Sequence, residues 1–177
     1  MRARTPDAAA KAELEHVRRS ISCVSDQQLR FVAFDPTANA RSMSFVPRGM
    51  IAPMDSARLG RMGLFVQVSI EITPSSLGSR SFSSHVIGYR LQVTNDVGRE
   101  LLGYHWHPSG VSAVREPHLH VFRPLSSRTD SEKQDGRLDG VHLPTGVIDA
   151  RDFIRFLILE LAVEPVREDW RRLLNST

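Results

Sequence analysis

Hydrophobic and polar positions alternate with a period of two along the middle of the chain. The clearest case is LFVQVSIEIT (64–73), in which every even-numbered residue is apolar and most odd-numbered residues are polar. This alternation is typical of a strand in an antiparallel sheet that buries one of its faces. Less regular versions of the pattern occur in five further segments: 27–35, 41–50, 85–95, 99–107 and 118–122. About six strands are therefore predicted.

Helical periodicity replaces this alternation at both ends of the chain. Residues 6–21 are rich in helix formers, and His16 is expected on their solvent side. Asp149 is a good N-cap for an apolar helix, and a second short helix is predicted over 165–174. The links between strands are too short for helical crossovers. The predicted fold class is therefore α+β: one domain over 1–177, with an antiparallel sheet, an N-terminal helix and two C-terminal helices packed on it.

Composition adds little to this picture. The polar segment 125–140 is expected to be a flexible loop. A single cysteine, Cys23, excludes an internal disulfide and favours a reducing, cytoplasmic environment. The chain contains no apolar run long enough to span a bilayer, so no membrane partner is expected. The net charge of +3 and the pI near 9.6 mildly favour an anionic partner such as RNA.

The candidate chemistry lies in GYHWHPSGVSAVREPHLHVFRP (103–124), which holds four of the seven histidines in two His-x-His pairs. Within a strand, residues two apart share a face, so each pair should point to one side of the sheet. The alternate positions are apolar and should face the core: Tyr104, Trp106, Leu119 and Val121. If the two strands pair directly, the four imidazoles can converge on the opposite face.

Paired histidines can act as general base and general acid without a cofactor, because imidazole titrates near neutral pH. On RNA, one would activate the 2′-hydroxyl and the other would protonate the leaving 5′-oxygen, while Arg115 or Arg123 stabilises the phosphorane. The catalytic candidates are His105, His107, His118, His120 and Arg115. Substrate contacts are expected from Tyr104, Arg123 and His142.

Two alternatives stay open. The same four histidines, His105, His107, His118 and His120, are suitable ligands for a transition metal such as zinc in a cupin-like metalloprotein, to which Glu116 could add a carboxylate. In the other alternative the histidines are ordinary polar groups on the sheet. The apolar helix 150–163 would then dock a protein partner.

The run YRLQVTNDVGRELLGYHWHP…EPHLHV, within residues 85–123, resembles the TumE-type toxins of bacterial toxin–antitoxin modules. In that family a strand bearing Tyr and Trp leads through a loop to a Pro-His-x-His motif. The matching positions are Tyr104, His105, Trp106, Pro117, His118 and His120. The resemblance implies a toxin that acts on RNA as a nuclease and is neutralised by a helix-turn-helix antitoxin.

Overall fold

The structure, a computed structural model, describes residues 2–32, 41–47, 51–76, 80–108, 113–122 and 141–175. The strands are β1 (Arg2–Ala3), β2 (Leu29–Val32), β3 (Arg41–Pro47), β4 (Ala52–Ser56), β5 (Gly60–Pro74), β6 (Phe82–Asn95), β7 (Glu100–Trp106), β8 (His118–Val121) and β9 (Leu143–Pro144). The helices are α1 (Pro6–Ile21), α2 (Ala150–Glu160) and α3 (Trp170–Asn175). The expected flexible loop over 125–140 lies outside the described residues.

The nine strands found among the described residues form one sheet with the order β2-β3-β5-β6-β7-β8-β9, while β1 pairs with β6 and β4 pairs with β5. Every pairing is antiparallel. The predicted α+β class is confirmed, with an antiparallel sheet, an N-terminal helix and two C-terminal helices. The even-numbered residues of 64–73 are buried, as the alternation predicts.

The helices cover one face of this sheet. Apolar residues of α1 and α2 are buried there, with Val17 and Ile21 from the first helix and Leu157 from the second. Tyr104 joins them from β7, since its ring meets Phe153 edge-on with 5.8 Å between ring centres. Residues of β7 that alternate with Tyr104 therefore lie on the opposite face of the sheet.

Three expectations at the level of single elements are corrected. The second C-terminal helix begins at Trp170, not at 165, because the backbone before it bonds elsewhere: the Val166 amide donates to the Cys23 carbonyl at 2.9 Å. His16 is not free on the surface, because its Nε2 lies 3.1 Å from the carboxylate of Asp149, which caps α2 as predicted. Val121 is 39% exposed rather than buried, because the short strand β9 pairs only with His118 and Leu119.

Candidate metal centre

The register between β7 and β8 brings the two His-x-His motifs together. His105 lies directly opposite His118, and Gly103 lies directly opposite His120. Residues opposite each other in an antiparallel pair have neighbouring side chains on the same face. The four histidines of the two motifs therefore project from the face that the helices leave uncovered.

The imidazole rings are packed closely. Ring centres are 4.6 Å apart for His105 and His120, 4.8 Å for His118 and His120, and 5.8 Å for His105 and His118. One nitrogen from each of these three rings lies within 4.8 Å of the other two. We call this group the histidine triad.

His118 is held in one tautomer by its own loop. Its Nδ1 lies 2.7 Å from the Glu116 carbonyl oxygen, which can only accept, so Nδ1 carries the proton and donates it. The Nε2 atom is left with its lone pair. The residue is 3% exposed, so this lone pair is directed into the protein rather than into bulk water. The carboxylate of Glu116 is a candidate ligand from the sequence, but in the structure the backbone carbonyl of Glu116 orients His118.

Two further histidines border the triad. The ring centre of His142 lies 4.3 Å from that of His120 and 4.8 Å from that of His118, although His142 itself is exposed. His107 lies at the end of β7, with its ring centre 5.7 Å from that of His105. Five imidazoles thus adjoin one another.

A half-buried carboxylate, that of Glu100, adjoins the triad. Its Oε2 accepts a hydrogen bond from Gln92 Nε2, and its Oε1 lies 3.6 Å from His105 Nε2. Both Glu100 Oε1 and His105 Nε2 are buried and lack a hydrogen-bond partner among the described residues. A buried polar atom without a hydrogen-bond partner destabilises the folded protein, so the state of Glu100 Oε1 and His105 Nε2 needs an explanation.

Gly103 provides the space for this arrangement. A β-carbon at this position would lie 2.8 Å from His105 Nε2, and it would approach Glu100 Oε1 even more closely. The volume above Gly103 is therefore bordered by the carboxylate and by the imidazole. Any larger residue would displace one or both.

The electrostatic surroundings keep most of the cluster uncharged at neutral pH. Burial lowers the pKa of His120 to about 4, and repulsion from the neighbouring imidazoles adds to this. Burial also lowers the pKa of His118 and of His107. For Glu100, burial acts to raise the pKa, but the adjacent His105 and Gln92 side chains outweigh it, and the pKa lies below its ordinary value. Three imidazoles of the cluster, those of His107, His118 and His120, thus favour the neutral form, and the Glu100 carboxylate favours the charged form.

The remaining predicted site residues are not brought into the cluster. Tyr104 lies on the helix side of the sheet, packed against Phe153, so the structure does not place it with the histidines. Arg115 is exposed in the connection that leads to β8. Arg123 lies outside the described residues. The described site is therefore made of histidines, one carboxylate and one amide.

Glu100, Gln92 and Gly103 are not predicted as site residues by the sequence pattern. Strict alternation from His105 places Glu100 on the helix side, together with Leu102. In the structure β7 contains a bulge, since Val93 pairs with Leu102 whereas Thr94 pairs with Glu100. The extra residue turns Glu100 to the histidine side. The Asn95–Gly98 turn before it was a recognisable signal, but it does not specify where the bulge falls.

The chain matches no known protein-family model, and no curated protein or solved structure is significantly similar to it. Within the described part of the chain, no helix has both the length and the apolar character needed to cross a lipid bilayer. A function for this protein must therefore be argued from the geometry of the site.

Proposed function

We propose that this protein binds one divalent transition-metal ion, with His105, His118 and His120 as ligands. The observation that carries the proposal is the convergence of three imidazole nitrogens within 4.8 Å of one another. Imidazole nitrogens of histidine are among the usual ligands of Zn(II) in proteins. The protein is accordingly a candidate metalloprotein.

The ring separations support this assignment. Since a zinc–nitrogen bond is about 2.0–2.1 Å, the centre of a bound imidazole lies about 3 Å from the ion. Two rings that share an ion then have centres about 4.5–5.5 Å apart at ordinary coordination angles. The observed separations run from 4.6 to 5.8 Å, so two of the three pairs fall within this range and the widest pair, His105 and His118, would have to move closer on binding.

The protonation states support it as well. A histidine must be neutral to coordinate a metal, and the lowered pKa values of His118 and His120 favour the neutral form. The hydrogen bond from His118 Nδ1 to a backbone carbonyl is the kind of outer contact that metal-bound histidines usually make.

Metal binding is tested by elemental analysis of the purified protein and by calorimetric titration of the metal-free protein with Zn(II). We expect one equivalent of metal per chain. The variant His118→Ala should weaken Zn(II) binding by more than about 100-fold, since it removes a ligand rather than an outer contact. The matched control is His85→Ala, which removes an exposed histidine of β6 that does not belong to the triad. Wild-type protein that neither retains nor takes up metal would refute the proposal.

The ribonuclease hypothesis stays a prediction, and the same cluster gives it a distinct test. A general acid must be protonated at the working pH, and His107, His118 and His120 have lowered pKa values, so they serve better as bases than as acids. If the protein cleaves RNA, cleavage that persists after complete metal removal would favour the acid–base mechanism. Loss of cleavage with the metal, and its return on adding Zn(II), would favour the metal centre.

The docking hypothesis also stays a prediction. Most of the apolar residues of α2 are buried against the rest of the protein, including Phe153, Ile154 and Leu157. A partner such as a helix-turn-helix antitoxin therefore has to be sought through a binding experiment, because the apolar composition of α2 is explained by the core.

A further inference from the structure

We propose that Glu100 is a fourth protein ligand, so that the centre consists of three imidazoles and one carboxylate. This inference rests on the metal site proposed above and concerns the same ion. A carboxylate in the ligand set favours divalent ions such as Zn(II), Fe(II) or Mn(II) over Cu(I), which prefers softer ligands. Glu100 would thus determine which class of metal the protein takes up.

The separation between Glu100 Oε1 and His105 Nε2 supports direct binding of the ion by Glu100. The distance of 3.6 Å is too long for a hydrogen bond, and both atoms are buried without such a partner among the described residues. Two ligand atoms that each lie about 2.1 Å from one ion are about 3.0–3.6 Å apart when they subtend 90–120°. A shared ion would therefore satisfy both atoms.

The hydrogen bond that orients the Glu100 carboxylate also supports its role as a ligand. Gln92 is a buried residue, and its amide donates to Oε2, the oxygen that faces away from His105. One oxygen is thus occupied and the other is left free on the side of the triad. An outer hydrogen bond that fixes a ligand in this manner is a regular feature of metal sites.

The position of Gly103 also supports a site that includes Glu100. The glycine lies opposite His120, and its missing side chain leaves open the volume that borders Glu100 Oε1 and His105 Nε2. The same volume thus adjoins ligand candidates from both strands. A site that needed only the imidazoles would not require this space beside the carboxylate.

The competing arrangement is a carboxylate that acts through His105. In it, Glu100 accepts a hydrogen bond from the protonated Nε2, and His105 binds the ion through Nδ1. Glu100 would then be a positioning residue that raises the basicity of one imidazole, and its removal would weaken every metal by a similar factor.

The variant Glu100→Gln separates the two arrangements when the metal-free protein is titrated with Zn(II) and, anaerobically, with Cu(I). A direct ligand predicts that Zn(II) affinity falls by more than about 100-fold while Cu(I) affinity changes by less than about threefold. Equal losses for both metals, or no loss for either, would overturn the inference. The control Glu160→Gln neutralises an exposed carboxylate at the end of α2, outside the histidine cluster, so it should match wild type with both metals.

A structure of the Zn(II)-loaded wild-type protein provides the second measurement, which does not depend on the folding of a variant. Glu100 Oε1 at about 2.0–2.2 Å from the ion supports the inference. An ion bound to His105 Nδ1, with Glu100 more than about 3 Å away, overturns it and leaves the histidine site intact. Wild-type protein that binds neither metal refutes the site itself, so the two failures are distinguishable.

Discussion

Gly103 is the residue on which the geometry of the site depends most directly. It lies in the middle of β7, where glycine is unfavourable for a strand because it has no side chain to pack. Here the missing β-carbon makes room for the Glu100 carboxylate and the His105 ring. A residue that weakens the strand therefore allows two polar side chains to reach the same volume.

The substitution Gly103→Ala should weaken Zn(II) binding by at least about 10-fold while the protein still folds. The added carbon would lie 2.8 Å from His105 Nε2 and closer still to Glu100, and both are the ends of side chains that can move away. Calorimetric titration measures the affinity, and circular dichroism checks the fold. Gly146→Ala is the matched control, because a β-carbon there meets nothing within 4 Å. Unchanged affinity in Gly103→Ala would show that neither side chain needs this space.

At the scale of elements, the contact between α1 and α2 depends on a pair of residues far apart in sequence. Asp149 caps α2 through its bond from the Arg151 amide, and the same carboxylate lies 3.1 Å from His16 Nε2 on α1. The N-terminus of a helix also favours a negative charge. One side chain therefore both begins α2 and attaches it to α1.

Replacing Asp149 by Ala should lower the free energy of unfolding by about 0.5–2 kcal/mol, the usual contribution of an N-cap. Asp149→Asn keeps the capping oxygen and should cost less. The control Asp152→Asn, in the exposed first turn of α2, should cost less than Asp149→Ala. Urea denaturation at pH 7 measures all three, and an equal effect of Asp149→Ala and Asp152→Asn would contradict the assigned role.

This contribution should also depend on pH. Burial acts to raise the pKa of Asp149, but the bonds from His16 and Arg151 outweigh it, and the pKa in the folded protein lies below the ordinary value. A lowered pKa means that the charged carboxylate stabilises the fold above the ordinary pKa of about 3.9, and that this stabilisation is lost as the pH falls further. The difference between wild type and Asp149→Asn should therefore stay constant from about pH 6 to 5 and shrink below about pH 4.

At the scale of the whole molecule, the histidine cluster should make the metal-free protein sensitive to mild acid. Burial lowers the pKa of His120 to about 4, whereas an unfolded histidine titrates near 6.5. Between these values the unfolded chain binds the proton and the folded chain does not. Folding stability therefore falls as the pH decreases through this window.

We expect the melting temperature of the metal-free protein to decrease from pH 7 to pH 4.5, and His120→Asn to reduce this dependence. His85→Ala, which removes an exposed histidine outside the cluster, should retain the wild-type slope. Thermal denaturation across this range, with chelator present, provides the measurement. A slope that His120→Asn leaves unchanged would mean that His120 is not the group responsible.

The sequence predicts strands, and the face on which their side chains lie, wherever apolar and polar residues alternate regularly. The alternation in 64–73 identifies a buried strand, and the two His-x-His pairs identify the face that carries the site. Glu100 escapes prediction because a single extra residue in β7 reverses the face on which it lies. The contact of His16 is not predicted because its partner, Asp149, is 133 positions away in the sequence. Local sequence patterns do not predict irregular strand pairing or contacts between residues that are far apart in the sequence.

The bulge in β7 also predicts a sequence pattern for other proteins that build the same site. Since one additional residue is needed to turn the acidic group toward the imidazoles, the interval between Glu100 and Gly103 is as specific to the site as the ligands themselves. Other chains that build the same centre should carry the fingerprint Glu-x-x-Gly-x-His followed by Pro-His-x-His, as residues 100–105 and 117–120 do here. Homologues that lose the acidic residue or change this interval would be expected to bind a different class of metal ion while keeping the fold.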